Sequence, residues 1–564
     1  MPLGDRPRRA GAVLDALARS RSRTGRRTFA KGTLPDLPGA GLFRFVVTDS
    51  PTPPVAIDLS DGGLDDDMAR SVFGQGEFPP TLTALLDLLK RPEVGLEGPE
   101  AFLVADGAQL PTDLDVVRHF RWALVLTRQG QMDLMISSGA VSPVSGAPDE
   151  RSTFLQVMAW DRAGHFNFYQ RISEDGWVLA GSSWDAFEPE SRGRGPFDSH
   201  VNGAPVMKEL REPWSNWHSM DADASTHLAP DDPLRSDPLM ANLVGAEDLE
   251  RLVGGGIRRW TNARLARTVD GPAPVETDGL LRHLMTNTTV NLIASRDRAA
   301  LASSKGTLRV PLSIFFDVEL LLNRGLLLGP FDAVPDVLAA NPVISAADYI
   351  DAIDATGMAL IGEGRDGSPV RVPGDGFFAL IAPEPAAEDT AMVAALIERA
   401  ILTERFAGCA AMVDFPNPVF SAERADLMTA LPDFFDPRAG AGPISQRLAS
   451  TILDGDGSAA FGEWWDLGPD TYRTVMVERL ATYMSSVRMR LADPDGVLDL
   501  IRLVASRRRR FRALALSEFS LTVPVAVAAE QLMMTEAGEV AADPTQAEPA
   551  QAEPAQAEPR HGDD

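Results

Sequence analysis

Between residues 121 and 183 the chain carries five short segments rich in aromatic, aliphatic and β-branched residues: RWALVLTR, MDLMISS, FLQVMAW, HFNFYQR and WVLAGSS. Three of the joints between them are the compact polar turn signals QGQ, DRAG and SEDG. Connections this short leave no room for a crossover helix, so the strands must run antiparallel, and five of them predict one sheet. A helix is expected just before it, at TLTALLDLLK (81–90).

The pattern changes near residue 235. Helical spacing of apolar residues runs through 246–267, 280–302, 346–360, 388–402 and 471–492, and a last helix is predicted over 493–519, where Asp493 precedes Pro494 as a cap and first-turn proline. A small β interruption is expected at 369–382, turned by PGDG. The fold class expected is therefore α+β: an antiparallel β-meander-containing N-terminal domain, about 41–235, packed on a mainly α-helical C-terminal domain, about 240–535. Residues 1–35 read as a basic flexible arm. The tail from 536 to 564 reads as disordered, because QAEPA repeats with a proline every five residues cannot build a core.

Charge narrows the partners. The net charge is −27, yet the first 31 residues hold nine Arg or Lys against two acids, so that arm is +7 and the remainder −34. An acidic body repels phosphate backbones, and no nucleic acid is expected as a partner of the whole protein. No apolar run is long enough for a membrane span and the first residues lack the apolar stretch of a secretory signal, so a cytoplasmic location is expected. Four lysines against 49 arginines, with abundant Ala, Gly and Pro, is a composition associated with high-GC bacteria. The single cysteine, Cys409, leaves no disulfide framework or cysteine-rich metal site, and its small apolar neighbours predict a core thiol.

Chemistry is sought in residues 196–227, which hold three of the seven histidines. Imidazole titrates near neutrality and is the commonest metal ligand, so His200, His218 and His227 are candidate ligands, and His200 and His218 with Glu209 and Asp221 candidate catalytic groups. PFDSH has the frame of a c-type haem attachment site, but Pro196 and Ser199 stand where the two cysteines would be, which rules out covalent haem. A non-covalent haem or an iron ion remains compatible, with Met207 as a soft ligand. Arg192, Arg194, Asn202 and Lys208, bracketed by Gly193, Gly195 and Gly203, offer an anion-binding alternative with His200 as acid or base. The bland alternative is a Trp-rich seam packed by Trp214 and Trp217.

Other motifs weaken on inspection. Asp348, Asp351 and Asp354 make one helical stripe, the manner in which class I terpene cyclases hold magnesium and diphosphate, but the second motif fails at Ala299 and a solvated face explains the stripe better. GEGRDG (362–367) matches a dinucleotide fingerprint only literally, since no helix follows it, and is read as a hairpin turn. DGDG at 454 lacks the sixth-position glycine and twelfth-position glutamate of a calcium loop. The segment AMVDFPNPVFS (411–421) is expected to be a rigid buried crossing or pocket wall in which Asp414 needs a partner, an arginine being the natural one. Four consecutive arginines, 507–510, cannot all face one ligand on a helix, and some are expected to pair with carboxylates.

The leading functional expectation is an enzyme with a His/carboxylate site where the two regions meet, acting on a small-molecule substrate, with iron- or haem-dependent oxidation as its form. The alternatives are a non-catalytic interaction protein and a magnesium-dependent enzyme of prenyl diphosphates.

Overall fold

A computed structural model describes residues 35–544 of the protein, except 49, 51, 107–113, 115, 117, 143–148, 207–215, 221, 270, 272–273, 296–304, 330–331, 365, 367, 375–379, 439–442, 456–457 and 515–530. The basic arm and the QAEPA repeats lie outside the described residues.

The predicted strands form, and they belong to one eight-stranded sheet. Its strands are β1 (Gly41–Arg44), β2 (Val55–Ala56), β3 (Glu97–Asp106), β4 (His119–Arg128), β5 (Gln131–Gly139), β6 (Leu155–Asp161), β7 (His165–Arg171) and β8 (Gly176–Ser182), in the order β2-β1-β8-β7-β6-β5-β4-β3. From β3 to β8 each strand pairs antiparallel with the next. β1 then adds to β8 in parallel. The β4–β5 turn is a two-residue connection in which Gln129 and Gly130 both take positive φ, at 53° and 72°, the twist that suits a tight hairpin.

Both faces of the sheet are covered, which is why β4 is nearly continuously buried instead of alternating between core and solvent. Trp122, Leu124 and Leu126 face a core closed by the helix α1 (Leu82–Leu89), while Ala123 and Val125 face the opposite core. That second core is closed by the long helix α2 (Ala246–Val269) through Leu249, Leu252, Val253, Ile257 and Trp260. Helical spacing over 246–267 located this helix, and the structure lays it on the sheet. Gly256 permits the approach: a Cβ there would collide with Met132 and with Pro205.

Most of the remaining helices gather around a larger core. Those used below are α3 (Thr277–Met285), α4 (Ala346–Thr356), α5 (Ala387–Glu398), α6 (Glu404–Met412), α7 (Tyr472–Leu491) and α8 (Pro494–Leu514). Asp493 caps α8, its carboxylate accepting from Asp495 N at 2.9 Å. Two expectations are corrected. The helix predicted over 280–302 stops at Met285, and Val290–Ala294 (β9) instead pairs antiparallel with Ile381–Pro385 (β10). The β-branched run Thr288, Thr289, Val290 explains the break, since crowding at Cβ disfavours helix and suits a strand. The helix predicted over 346–360 stops at Thr356, because Gly357 turns left-handed at φ 61°. Residues 359–363 and 369–373 then form a hairpin, which makes GEGRDG a turn region as expected.

The expected onset of disorder at 536 falls inside structure. Leu532–Met534 and Val540–Ala542 make a hairpin held by the 411–421 segment: Met534 N donates to Asn417 Oδ1 at 2.9 Å and Asn417 Nδ2 donates to Met534 O at 2.9 Å. Two of the four consecutive arginines are buried. Arg507 donates to Pro416 O and Asn417 Oδ1, both at 3.1 Å, and Arg508 to Ile381 O at 2.6 Å, so they tie carbonyl oxygens of separate segments together. Burial lowers Arg507 to about 10. Arg510 does reach a carboxylate, that of Asp543, at 3.5 Å. Cys409 is buried, and burial pushes its thiol up to about 12, as fits a core position. Among the described residues no helix is long and apolar enough to cross a membrane.

Candidate functional site

Among the described residues of the histidine-rich segment, the histidines do not share one site. His200 follows a short 3-10 turn, Gly195–Asp198, its Nδ1 lies 2.8 Å from Ala204 O, and its ring sits 4.8 Å from Phe168 of β7. His218 lies at the far edge of the sheet, its backbone N–H donating to Leu103 O of β3 at 2.9 Å. β7 and β3 are four strands apart, which at the usual strand spacing separates these imidazoles by on the order of 15–20 Å. One metal or haem iron cannot take both. His218 and His227 do lie near a common carboxylate: His218 Nδ1 is 3.4 Å from Asp223 Oδ1, an oxygen already capping the turn at Ser225 N, and burial beside Arg118 lowers His227 to about 4. Among the described residues no three His, Cys, Asp or Glu gather as a metal-holding group.

Met207, Lys208, Glu209, Trp214 and Asp221 lie outside the described residues. Arg192 is bound to Phe187 O at 2.8 Å and approaches Asp278 Oδ2 of α3 at 3.9 Å. Arg194 leads into the 3-10 turn, its backbone N bonded to Ser191 O at 3.0 Å. Gly203, with φ 67°, sits so close to the Ser183 backbone that no side chain fits, so this glycine serves the chain path. Asp351 and Asp354 are exposed on α4 and Asp348 is half-buried, as a solvated face requires.

The segment does meet the helical region, at a buried cluster that sequence reasoning passed over. Asn202 donates through Nδ2 to Thr288 Oγ1 at 2.7 Å, and its backbone carbonyl accepts from Trp260 Nε1 of α2 at 2.8 Å. Thr288 in turn donates to Asp389 Oδ1. Asp389 sits in the first turn of α5, and His283, in the last turn of α3, places Nδ1 2.8 Å from the same Oδ1. Arg264 of α2 completes the group, with Nη1 3.1 Å from His283 Nε2 and Nη2 on Gly279 O.

Proton positions follow from the donor inventory. A guanidinium only donates, so His283 Nε2 accepts and the ring proton lies on Nδ1, donated to Asp389. Burial beside Arg264 and Arg282 holds His283 well below its usual value, hence neutral. Burial pushes the Asp389 carboxyl up from the usual carboxylate range, against the opposing pull of the Thr288 hydroxyl and the Arg282 charge. The two guanidiniums feel the same dry surroundings: Arg264 falls to about 9 and Arg282 to about 10, with burial the first cause in each and a neighbouring arginine the second.

Asp389 Oδ1 thus receives two hydrogen bonds, while Oδ2, equally buried, has no partner. Asp389 lines a small pocket together with His283, Asn287, Asp317, Pro418 and Arg424. Asp317 accepts from Leu320 N at 2.9 Å, and burial raises it to about 6. Arg424 is fixed on Asn417 O at 3.3 Å and Pro418 O at 3.0 Å. The proline-braced 411–421 segment is thereby a pocket wall, as its sequence suggested, and Asp414 within it accepts a hydrogen bond from Asn417 Nδ2 at 2.7 Å; burial raises its carboxyl above the usual range, against the opposing pull of Arg424 and Arg507.

Nothing local in the sequence marks this cluster. His283 is a lone histidine on a helix, and 106 residues separate it from Asp389. No protein-family model, no curated protein and no solved structure matches the chain.

Proposed function

We propose that this protein is an enzyme whose acid–base group is Asp389, acting on a small polar molecule in the pocket that Asp389 shares with Asp317. The observation that carries this reading is the asymmetry of the Asp389 carboxyl. Its Oδ1 is occupied by His283 and Thr288, while its Oδ2 is buried and unpartnered, on a residue that lines the pocket. A carboxyl whose burial raises its affinity for a proton holds that proton more firmly than a solvated carboxyl and can give it up and take it back, the property a general acid–base group needs. His283 is a positioning residue: both its ring nitrogens are engaged, so it fixes the carboxyl and exchanges nothing itself. The enzyme expectation for the meeting place of the two regions is kept, with these residues in place of His200 and His218.

The test is turnover. Incubating the full-length protein with a cell extract of small metabolites and following depletion by mass spectrometry should reveal a substrate consumed by wild type, with Asp389→Asn slower by about 10²-fold or more. His283→Gln should lower kcat more than it raises KM. Undiminished turnover by Asp389→Asn would remove Asp389 from the chemistry.

A further inference from the structure

The C-terminal hairpin, Leu532–Met534 with Val540–Ala542, is bound by the rest of the chain much as a peptide ligand is bound. The Asn417 carboxamide accepts from Met534 N and donates to Met534 O, both at 2.9 Å, the two bonds that a neighbouring strand makes to a residue's backbone. A third tie runs from Leu532 N to Ser506 Oγ of α8 at 3.0 Å. Contacts of this kind hold a strand by its main chain and leave specificity to its side chains.

Here the side chains that select are charged. Glu536 pairs with Arg479 and Glu539 with Arg490, two arginines about three turns apart on α7 and so on one face of it. Asp543 lies 3.5 Å from Arg510 of α8. Arg479 also approaches Glu463, at 3.7 Å, and Arg510 lies over the Phe420 ring. On a chain of net charge −27, these three arginines make a basic strip that the acids of the hairpin cover.

Apolar attachment is thin by comparison. Met534 is the one strand residue of the hairpin that is buried, and a cavity of about 20 Å³ remains between it and Phe315, Val487, Leu491, Leu500 and Val540. Exposed ion pairs contribute little singly and weaken with salt, so detaching the hairpin costs less than unfolding the core beneath it.

We propose that Asn417, Arg479, Arg490 and Arg510 form a docking site for an acidic β-hairpin of a partner protein, a site that residues 531–543 occupy in cis. Charge fixes the class of occupant: without its hairpin the site presents three arginines, an apolar niche and a carboxamide that pairs with backbone. Sixteen residues separate Leu514 from Gln531. A tether of that length gives the hairpin an effective concentration on the order of millimolar, which a partner has to outcompete. None of these four residues lines the Asp389 pocket.

The test uses the full-length chain and a fluorescein-labelled synthetic peptide of residues 531–543. In Glu536→Arg/Glu539→Arg, amide exchange at the hairpin should rise at least tenfold while circular dichroism stays that of wild type. Fluorescence anisotropy should then show saturable binding of the peptide to this variant, at least tenfold tighter than to wild type, whose site is filled. A peptide N-methylated at Met534, which cannot donate to Asn417, should bind the variant at least tenfold more weakly. Glu536→Gln/Glu539→Gln replaces the charge reversal if that disturbs the fold. Unchanged exchange at the hairpin, faster exchange without peptide binding, or equal binding of the two peptides would each overturn the docking site. Sedimentation of wild type as a dimer that the variant loses would give the site to a second copy of this chain and overturn the partner protein.

Discussion

His283 donates its Nδ1 proton to Asp389 Oδ1 across 2.8 Å, joining the end of one helix to the start of another, while Arg264, from the helix that covers the sheet, donates to the same imidazole from the other side. A neutral ring thereby links a buried cation to a buried carboxyl, and each end loses a partner if the ring is removed. His283→Ala should destabilise the protein by about 2–4 kcal/mol, combining a cavity with two unsatisfied buried groups. Urea unfolding measures it, and a loss below about 1 kcal/mol would show the network to be dispensable.

Asp317 gives stability a pH signature. Its folded value is raised to about 6 from an ordinary 3.8, so between these the folded state holds more protons than the unfolded. Stability from this group is therefore full below about pH 4 and lost as pH rises to about 6, a change on the order of 3 kcal/mol. Asp317→Asn should flatten that part of the pH profile and be more stable than wild type at pH 7.5. Chemical denaturation at pH 4.5, 6 and 7.5 checks this, and parallel profiles for the two proteins would refute it.

Asn417 serves three segments at once, bonding Asp414 beside it, Arg507 of α8 and the backbone of Met534 in the C-terminal hairpin. Asn417→Ala should cost about 2–4 kcal/mol because several buried partners go unpaired together. It should also speed amide exchange at Met534. Unchanged exchange there would mean that the hairpin is held by its ion pairs, among them Arg479 with Glu536 and Arg490 with Glu539.

At Gly256 two effects compete. Alanine gains about 1 kcal/mol of helix propensity over glycine, but its Cβ meets Met132 and Pro205 across the interface of α2 with the sheet. Met132 presents a flexible side-chain end and Pro205 a rigid ring, so overpacking should win and Gly256→Ala lose about 1–2 kcal/mol net. A thermal melt above wild type would show that the interface has slack.

Five of the sheet's eight strands were legible because their information is local, whereas β1, β2 and β3 were not. Strand period, β-branched and aromatic content, and turn residues between Arg121 and Ser183 are all read within a few neighbours. The end of the helix predicted over 280–302 was less so: the β-branched run from Thr288 disfavours helix locally, but Val290–Ala294 becomes β9 only through pairing with Ile381–Pro385, about 90 residues away. The arginine run was legible in part: Arg510 reaches the Asp543 carboxylate as charge predicts, whereas the burial of Arg507 and Arg508 against carbonyls of distant segments is decided by chain crossings.

Residue order alone carries the meander, the location of most helices, the core character of Cys409 and the stiffness of the segment around Asn417. Which titratable groups share a site depends on packing between distant segments. It parted His200 from His218 by the width of four strands and brought His283 to Asp389. Composition along a chain reports how often a residue type occurs nearby, whereas acid–base chemistry depends on distances of a few ångströms and on burial, and both are set by how helices from distant parts of the chain pack.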